Sequence, residues 1–278
     1  MTRKACIIGC PVQQSLSPII HSYWIAKHGI DGEYDRLNLE PEKLVSGVDL
    51  LQHDGYVGFN VTMPHKQTVM PLLDTVDSLA DRIGAVNTVY LGDDKRYHGT
   101  NTDGHGFLEH LKQTVGGKWD SSKPALIIGA GGAARAAVVA LLDAGLPHVT
   151  ITNRTQEKAE KIALDIADDR IAVLSWCDRD RAVCEYGLIA NTTSLGMVGC
   201  PPLEFSLKGA DRTTVVYDIV YKPLSTKLLQ AAEQAGLVSV DGLGMLMHQA
   251  APGFKLWFGQ DVMVDSGLKA AIREAIRC

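Results

Sequence analysis

The segment from Pro124 to Arg135 restricts the fold more than any other part of this chain: a short apolar run, a glycine-rich turn and an alanine-rich helical start. A buried strand that feeds a helix in this way is one βα unit. Such units assemble as parallel sheets with helices on their faces. The same alternation runs nearly throughout. In the first part, strands are predicted at Ala5–Ile8, Glu33–Leu39, Tyr56–Val61 and Ala85–Tyr90. Helices are predicted near Pro41–His53, His65–Met70 and Val76–Ile83, and from Ser17 as N-cap with Pro18 behind it to Lys27, stopped by Gly29. The polar stretch Gly99–Gly104 leads into a helix ending near Gly116, and the Gly-, Ser-, Lys- and Pro-rich segment up to Pro124 reads as a linker.

A second βα series follows. Its predicted strands are Ala125–Ile128, Val149–Thr152, Ile171–Leu174, Leu188–Asn191, Val215–Ile219 and Val238–Val240. Its helices are Ala133–Ala144, Thr155–Ala167 and Thr226–Ala235, and the end of the chain, Met245–Phe258 and Ser266–Arg277, is helical without further strands. A length of 278 residues suits two α/β lobes rather than one core.

Within the fingerprint, Gly129 permits a tight turn, Gly131 lets the backbone approach a pyrophosphate, and Ala134 allows close helix–strand packing. The helix that follows offers free N–H groups to phosphate oxygens. The next strand selects the nucleotide. NAD-selective sites end it with a carboxylate that bonds the ribose 2′-hydroxyl. Here Asn153 stands at that position, followed by Arg154 and Thr155, with Lys158 one turn into the helix. A carboxylate repels a 2′-phosphate, whereas an arginine grips it through charge-assisted hydrogen bonds. These residues therefore favour NADP.

Charge and composition narrow the partners. A net charge of −5 leaves no broad basic field for nucleic acid or an anionic membrane. The longest apolar run is the seven residues Ala136–Leu142, against the roughly twenty a spanning helix needs. Gly9 and Pro11 interrupt the apolar start, which reads as a buried strand rather than a signal peptide. The six cysteines include no C-x-x-C pair and none at zinc-ligand spacing to a His, so no metal is expected and the thiols suit a reducing compartment. The expectation is a cytoplasmic protein, monomer or homodimer, with a small-molecule partner.

The chemistry falls to the first lobe. Ser15 and Ser17 straddle a strand-to-helix turn, where two hydroxyls and a helix N-terminus suit a carboxylate, although Ser17 as a simple cap is the alternative. Asn60 and Thr62 alternate on one face of a strand, with Lys66 on the turn beyond. Asn87 ends another strand, and Asp103 sits between the lobes. Taken singly, such a Lys or Asp reads as a solvated surface charge.

Taken together they resemble the shikimate/quinate dehydrogenase family over nearly the whole chain. The resemblance is carried by Ser15-Leu16-Ser17-Pro18, Asn60-Val61-Thr62-Met63-Pro64-His65-Lys66, Ala85-Val86-Asn87-Thr88 and Asn101-Thr102-Asp103-Gly104. It continues through Gly129-Ala130-Gly131-Gly132-Ala133, Asn153-Arg154-Thr155, Asn191–Ser194, Tyr217–Tyr221 and Gly242–Gln249. It implies NADP-dependent interconversion of 3-dehydroshikimate and shikimate, a step toward aromatic amino acids, with Lys66 and Asp103 as the catalytic pair. It assigns Ser15, Ser17 and Tyr221 to the substrate carboxylate, and Asn60, Thr62, Asn87, Asp103 and Gln249 to its hydroxyls. Gly129–Ala133 would meet the cofactor's diphosphate, and Ile219, Gly242 and Met245 would flank its nicotinamide. Residues 1–103, with 244–278 returning to them, would form the substrate-binding and catalytic domain, and 104–243 the Rossmann domain.

Two positions depart from the family's habit. Lys158 stands where many relatives carry an arginine, which implies a milder NADP preference. Cys10 precedes Pro11 where relatives often have a polar residue. A free lysine, with a pKa of about 10.4, is an ammonium at neutral pH and suits protonation of a nascent alkoxide. Alcohol oxidation requires the neutral amine, so either burial opposes the influence of Asp103 or activity rises with pH. Quinate or dual specificity is the nearest rival. A non-catalytic NADPH-binding sensor is the rival from another class, and intact Lys66 and Asp103 count against it.

Overall fold

The structure is a computed structural model describing residues 2–117, 119–181 and 183–277. It divides into two compact units: Met1–Thr102 with Leu246–Cys278, and Asp103–Met245.

The first unit is built on a sheet of β1 (Arg3–Gly9), β2 (Gly32–Asn38), β3 (Tyr56–Val61), β4 (Thr75–Val76), β5 (Thr88–Leu91) and β6 (Tyr97–Thr100). The order is β2-β1-β3-β5-β6-β4. Pairings β1/β2, β1/β3 and β4/β6 are parallel, whereas β3/β5 and β5/β6 are antiparallel. The expected wholly parallel sheet is therefore a mixed one here. The reason is local: β5 and β6 are joined by a tight hairpin through Gly92–Lys95, which permits only antiparallel pairing. One sheet face packs Cys6, Ile8, Phe59, Val61 and Val89 against Leu44, Val48 and Leu51 of α2 (Leu44–His53). Against the other face lies an aromatic layer: His21 and Trp24 of α1 (Ser17–His28), Tyr34 of β2, and Phe254 and Trp257 near the chain's end. The Trp257 indole N–H donates to the Val89 carbonyl at 2.8 Å, fixing the returning helix to the sheet. α3 (Ser78–Ile83) is capped by Asp77, whose carboxylate accepts from Ala80 N–H.

Three local expectations are corrected. Ser17 is the first helical residue of α1 rather than its cap. Leu16 holds the cap position without a side-chain bond, and Ser17 N–H instead donates to Ser15 Oγ at 3.2 Å. His65–Met70 is a run of turns rather than a helix, because Pro64 and Pro71 bracket it and neither supplies an N–H. Asn87 precedes β5 rather than ending a strand: residues 85–87 lie outside the ladder, and β5 begins at Thr88.

The second unit contains α4 (Asp103–Val115), β7 (Ala125–Ile128), α5 (Gly132–Asp143), β8 (Val149–Thr152), α6 (Gln156–Ile166) and β9 (Ile171–Leu174). It continues with β10 (Leu188–Asn191), β11 (Val215–Asp218), α7 (Lys227–Gln234) and β12 (Val238–Val240). All five pairings are parallel, in the order β9-β8-β7-β10-β11-β12. That is the doubly wound 3-2-1-4-5-6 arrangement of a Rossmann domain, whose order reverses between β7 and β10. The central strands are buried on both faces, in keeping with their largely apolar sequences. α8 (Leu243–Phe258) begins in this unit and ends in the first, and α9 (Ser266–Arg277) belongs to the first.

Candidate functional site

In the first unit, three of the sequence-predicted residues meet in one buried polar network. Asn60, Asn87 and Gln249 are each less than a tenth exposed. Asn60 Nδ2 donates to the Asn87 carbonyl at 3.1 Å and to Thr88 Oγ1 at 3.2 Å. Asn87 Nδ2 donates to Thr102 Oγ1 at 3.0 Å and to Gln249 Oε1 at 3.2 Å, while its Oδ1 accepts the Thr102 N–H at 2.8 Å. Gln249 Nε2 donates to the Leu246 carbonyl, so the amide of α8 is itself oriented. Buried polar side chains persist only when so satisfied.

Lys66 is tied to this network through its backbone, and Asp103 follows one of the network's members in sequence. The Val86 N–H donates to the Lys66 carbonyl at 2.7 Å, one residue before Asn87. Asp103 follows Thr102 directly and lies 5% exposed in the first turn of α4. A carboxylate at that end interacts favourably with the helix dipole. Lys66 is half-buried.

Ser15 and Ser17 lie at the start of α1. Ser17 is buried, Ser15 is half-buried, and the Ser15 carbonyl accepts from Arg36 Nε and a terminal Arg36 nitrogen. Thr62 follows β3, its N–H donating to the Ile8 carbonyl at 2.9 Å. Tyr221 belongs to the second unit, beyond β11, where burial raises its phenol above the ordinary value.

In the second unit the glycine turn has the geometry a dinucleotide requires. Gly129 has φ +124°, and a Cβ there would stand 2.6 Å from Thr192 Oγ1, so no side chain is tolerated. Gly131 caps α5, and the space above it is open. Ala130, Gly132 and Ala133 complete the turn and are only partly buried, whereas Ala134 is fully buried against the sheet. The first-turn N–H groups of α5 thus face an open approach fit for phosphate. Beyond β8, Asn153 Nδ2 donates to the Thr155 carbonyl at 2.7 Å, which shapes the turn. Arg154, Thr155 and Lys158 are exposed.

Ile219 and Gly242 come together. A Cβ on Gly242 would run into the Ile219 carbonyl oxygen, and the Gly242 N–H donates to the Val220 carbonyl. Asp218 shapes this turn from within: its buried carboxylate accepts from Asn191 Nδ2, the Val220 N–H and Thr226 Oγ1. Burial raises its pKa while those three bonds oppose the rise. Met245, one turn into α8, is buried.

Sequence reasoning missed Thr88, Thr102 and Asp218, although each adjoins a residue in the motifs quoted above. It also missed Tyr34, whose hydroxyl donates to Asn60 Oδ1 at 2.6 Å and which nothing in its own segment marks out. Among the described residues, no group of three His, Cys, Asp or Glu side chains could hold a metal ion, and no helix is long and apolar enough to cross a membrane.

Comparison with known proteins agrees with this geometry. Residues 7–89 match the family described as "Shikimate dehydrogenase substrate binding domain". Residues 110–242 match "Shikimate / quinate 5-dehydrogenase", and 242–277 match "Shikimate 5'-dehydrogenase C-terminal domain". The chain is 44% identical over 268 residues to the shikimate dehydrogenase (NADP(+)) of Roseobacter denitrificans, covering 96% of each. Among solved structures it resembles the Thermus thermophilus shikimate 5-dehydrogenase in complex with NADP(H) and shikimate, with 34% identity, TM-score 0.86, and 98% and 99% of the two chains covered. It also resembles the NAD complex of a Corynebacterium glutamicum quinate dehydrogenase, with 26% identity, TM-score 0.89 and the same coverage. Motifs, doubly wound nucleotide unit and whole-chain similarity converge, and the chain belongs to the shikimate dehydrogenase family.

Proposed function

We propose that this chain catalyses the reversible NADPH-dependent reduction of 3-dehydroshikimate to shikimate, a step in aromatic amino acid biosynthesis, with Lys66 and Asp103 as its catalytic pair. The observation that carries the reading is the Val86-Asn87 segment. It anchors the backbone of Lys66 on one side and that of Thr102, next to Asp103, on the other. The backbone beneath Lys66 and that just before Asp103 are thereby tied to one short stretch of chain, as a pair cooperating in proton transfer requires.

Bound NADPH supplies the hydride that reduces the keto carbon. Lys66, as an ammonium, gives a proton to the oxygen that becomes the hydroxyl, and takes it back in the oxidative direction. Asp103 orients the lysine and accepts a substrate hydroxyl. Ser15, Ser17 and Tyr221 receive the carboxylate, and Asn60, Thr62, Asn87 and Gln249 the remaining ring hydroxyls. In the Rossmann unit, the N–H groups of Gly129–Ala133 take the diphosphate. Asn153, Arg154, Thr155 and Lys158 surround the 2′-phosphate, and Ile219, Gly242 and Met245 bound the nicotinamide. Residues 1–103 with 244–278 act as the substrate and catalytic domain, and 104–243 as the NADP domain.

Turnover assayed by nicotinamide absorbance, with shikimate and quinate each paired with NADP and NAD, tests the reading. The highest kcat/KM is expected for shikimate with NADP. The likeness to a quinate dehydrogenase bound to NAD supports a second reading, dual specificity, which predicts comparable turnover of quinate. Absence of turnover with all four pairs would overturn both.

A further inference from the structure

Asn60 is a side chain with little freedom left. A carboxamide has two N–H donors and two acceptor lone pairs. Both donors of Asn60 are engaged, by the Asn87 carbonyl and Thr88 Oγ1, and one lone pair takes the Tyr34 hydroxyl. With both donors committed within the protein, Asn60 can meet a ligand only through its carbonyl oxygen, by accepting from a hydroxyl.

Tyr34 reaches Asn60 across an intervening strand. β2 and β3 flank β1, and neighbouring strands are about 4.8 Å apart, so the two residues lie roughly 10 Å apart across the sheet. Ala5 of β1 pairs with Tyr34 on one side and with Gly58 on the other, and Asn60 is two residues beyond Gly58 on the same face. The small Ala5 leaves room for the phenol to lean over β1. Its ring is held there by His21, stacked at 4.0 Å and 17°, and by Trp257 at 5.7 Å. The phenol is 5% exposed. Burial, with the Cys6 thiol adding, raises it well above its ordinary pKa against a hydrogen bond from Ser17, so the hydroxyl keeps its proton for Asn60.

We infer that Tyr34 is a positioning residue for substrate binding, fixing the Asn60 carboxamide. The inference rests on the reading above, in which Asn60 receives a hydroxyl of a ring acid. Its consequence is specific. Removing the hydroxyl while keeping the ring should loosen Asn60 and harm substrate binding without touching the nucleotide.

The test is Tyr34→Phe, alone and combined with Asn60→Ala, in the full chain, at a temperature well below every variant's melting midpoint. The KM for shikimate should rise roughly 3- to 10-fold in Tyr34→Phe, the loss of one neutral hydrogen bond. The KM for NADP should stay within about twofold, since no cofactor contact changes. On the Asn60→Ala background, Tyr34→Phe should add nothing further, because its effect passes through Asn60. An unchanged shikimate KM, a parallel rise in both KM values, or full additivity with Asn60→Ala would each overturn the inference while leaving the function intact. A wild-type protein inactive on shikimate would remove the functional reading, and this inference with it.

Discussion

In the unit formed by Met1–Thr102 and Leu246–Cys278, the polar residues Asn60, Asn87, Thr88, Thr102 and Gln249 are buried and bonded to one another. In the unit formed by Asp103–Met245, the residues assigned to the outer end of the cofactor, Arg154, Thr155 and Lys158, stand in solvent. The contrast fits what each is proposed to recognise. Hydroxyls on a small ring are told apart by direction, which demands groups fixed before the ligand arrives. A phosphate is recognised by charge, which tolerates mobile side chains but is weakened by salt. Damage to the first unit should therefore be severe and specific, and damage at the nucleotide's rim graded and dependent on ionic strength.

The harshest test is Lys66→Ala. Its turnover is expected to fall about 10²- to 10⁴-fold, while NADP affinity measured by fluorescence titration stays near wild type. Turnover that survives the substitution would remove Lys66 from proton transfer. A test of the buried side comes from acid. His21 is fully buried among aromatic rings, neither ring nitrogen makes a hydrogen bond of good geometry, and burial lowers its pKa to about 3, the Asn60 amide opposing only weakly. The unfolded chain takes up a proton near pH 6.5 that the native state refuses until about pH 3. Stability from a neutral His21 is thus fully present above about pH 6.5 and drains away as pH falls toward 3. By pH 4.5 the loss should be about 2–3 kcal/mol. Chemical denaturation of wild type and His21→Leu across this range should show a shallower acid slope in the variant, and equal slopes would contradict the assignment.

Smaller effects belong to the exposed rim. Arg154→Ala should weaken NADP roughly 10- to 100-fold and NAD hardly at all, with the difference shrinking as salt is raised. An equal loss for both nucleotides would show that Arg154 does not contact the 2′-phosphate. Lys158→Ala should cost only about 2- to 5-fold in NADP affinity, since an exposed lysine offers a single screened charge. A loss rivalling that of Arg154 would mean the two cations act as a clamp.

The two regions also differed in how far their sequences could be read. The strands of the Rossmann unit were legible, because the central ones, buried on both faces, are largely apolar runs such as Ala125–Ile128. The glycine turn was legible too, since its residue types are dictated by backbone geometry. In the first unit, β6 was hidden: Tyr97-His98-Gly99-Thr100 has no apolar run and becomes a strand only by pairing with β5. The segment His65–Met70 has helix-forming composition, and the bracketing prolines decide otherwise. Lys66, Asn87 and Asp103 received roles only through family resemblance, because a lone lysine or carboxylate carries no signature of its own. Tyr34 escaped because its partner sits two strands away, a distance the chain order cannot express.

The route of the backbone carries a consequence for biogenesis. His21, Trp24 and Tyr34 emerge early from the ribosome, yet Phe254 and Trp257, which complete the aromatic layer over their sheet, are translated late. At about 5–20 residues per second, nascent apolar surface from the first lobe waits roughly 10–45 s for those two rings. The Rossmann lobe, encoded by one continuous stretch, needs no such wait and can finish folding while its companion is still exposed to chaperones.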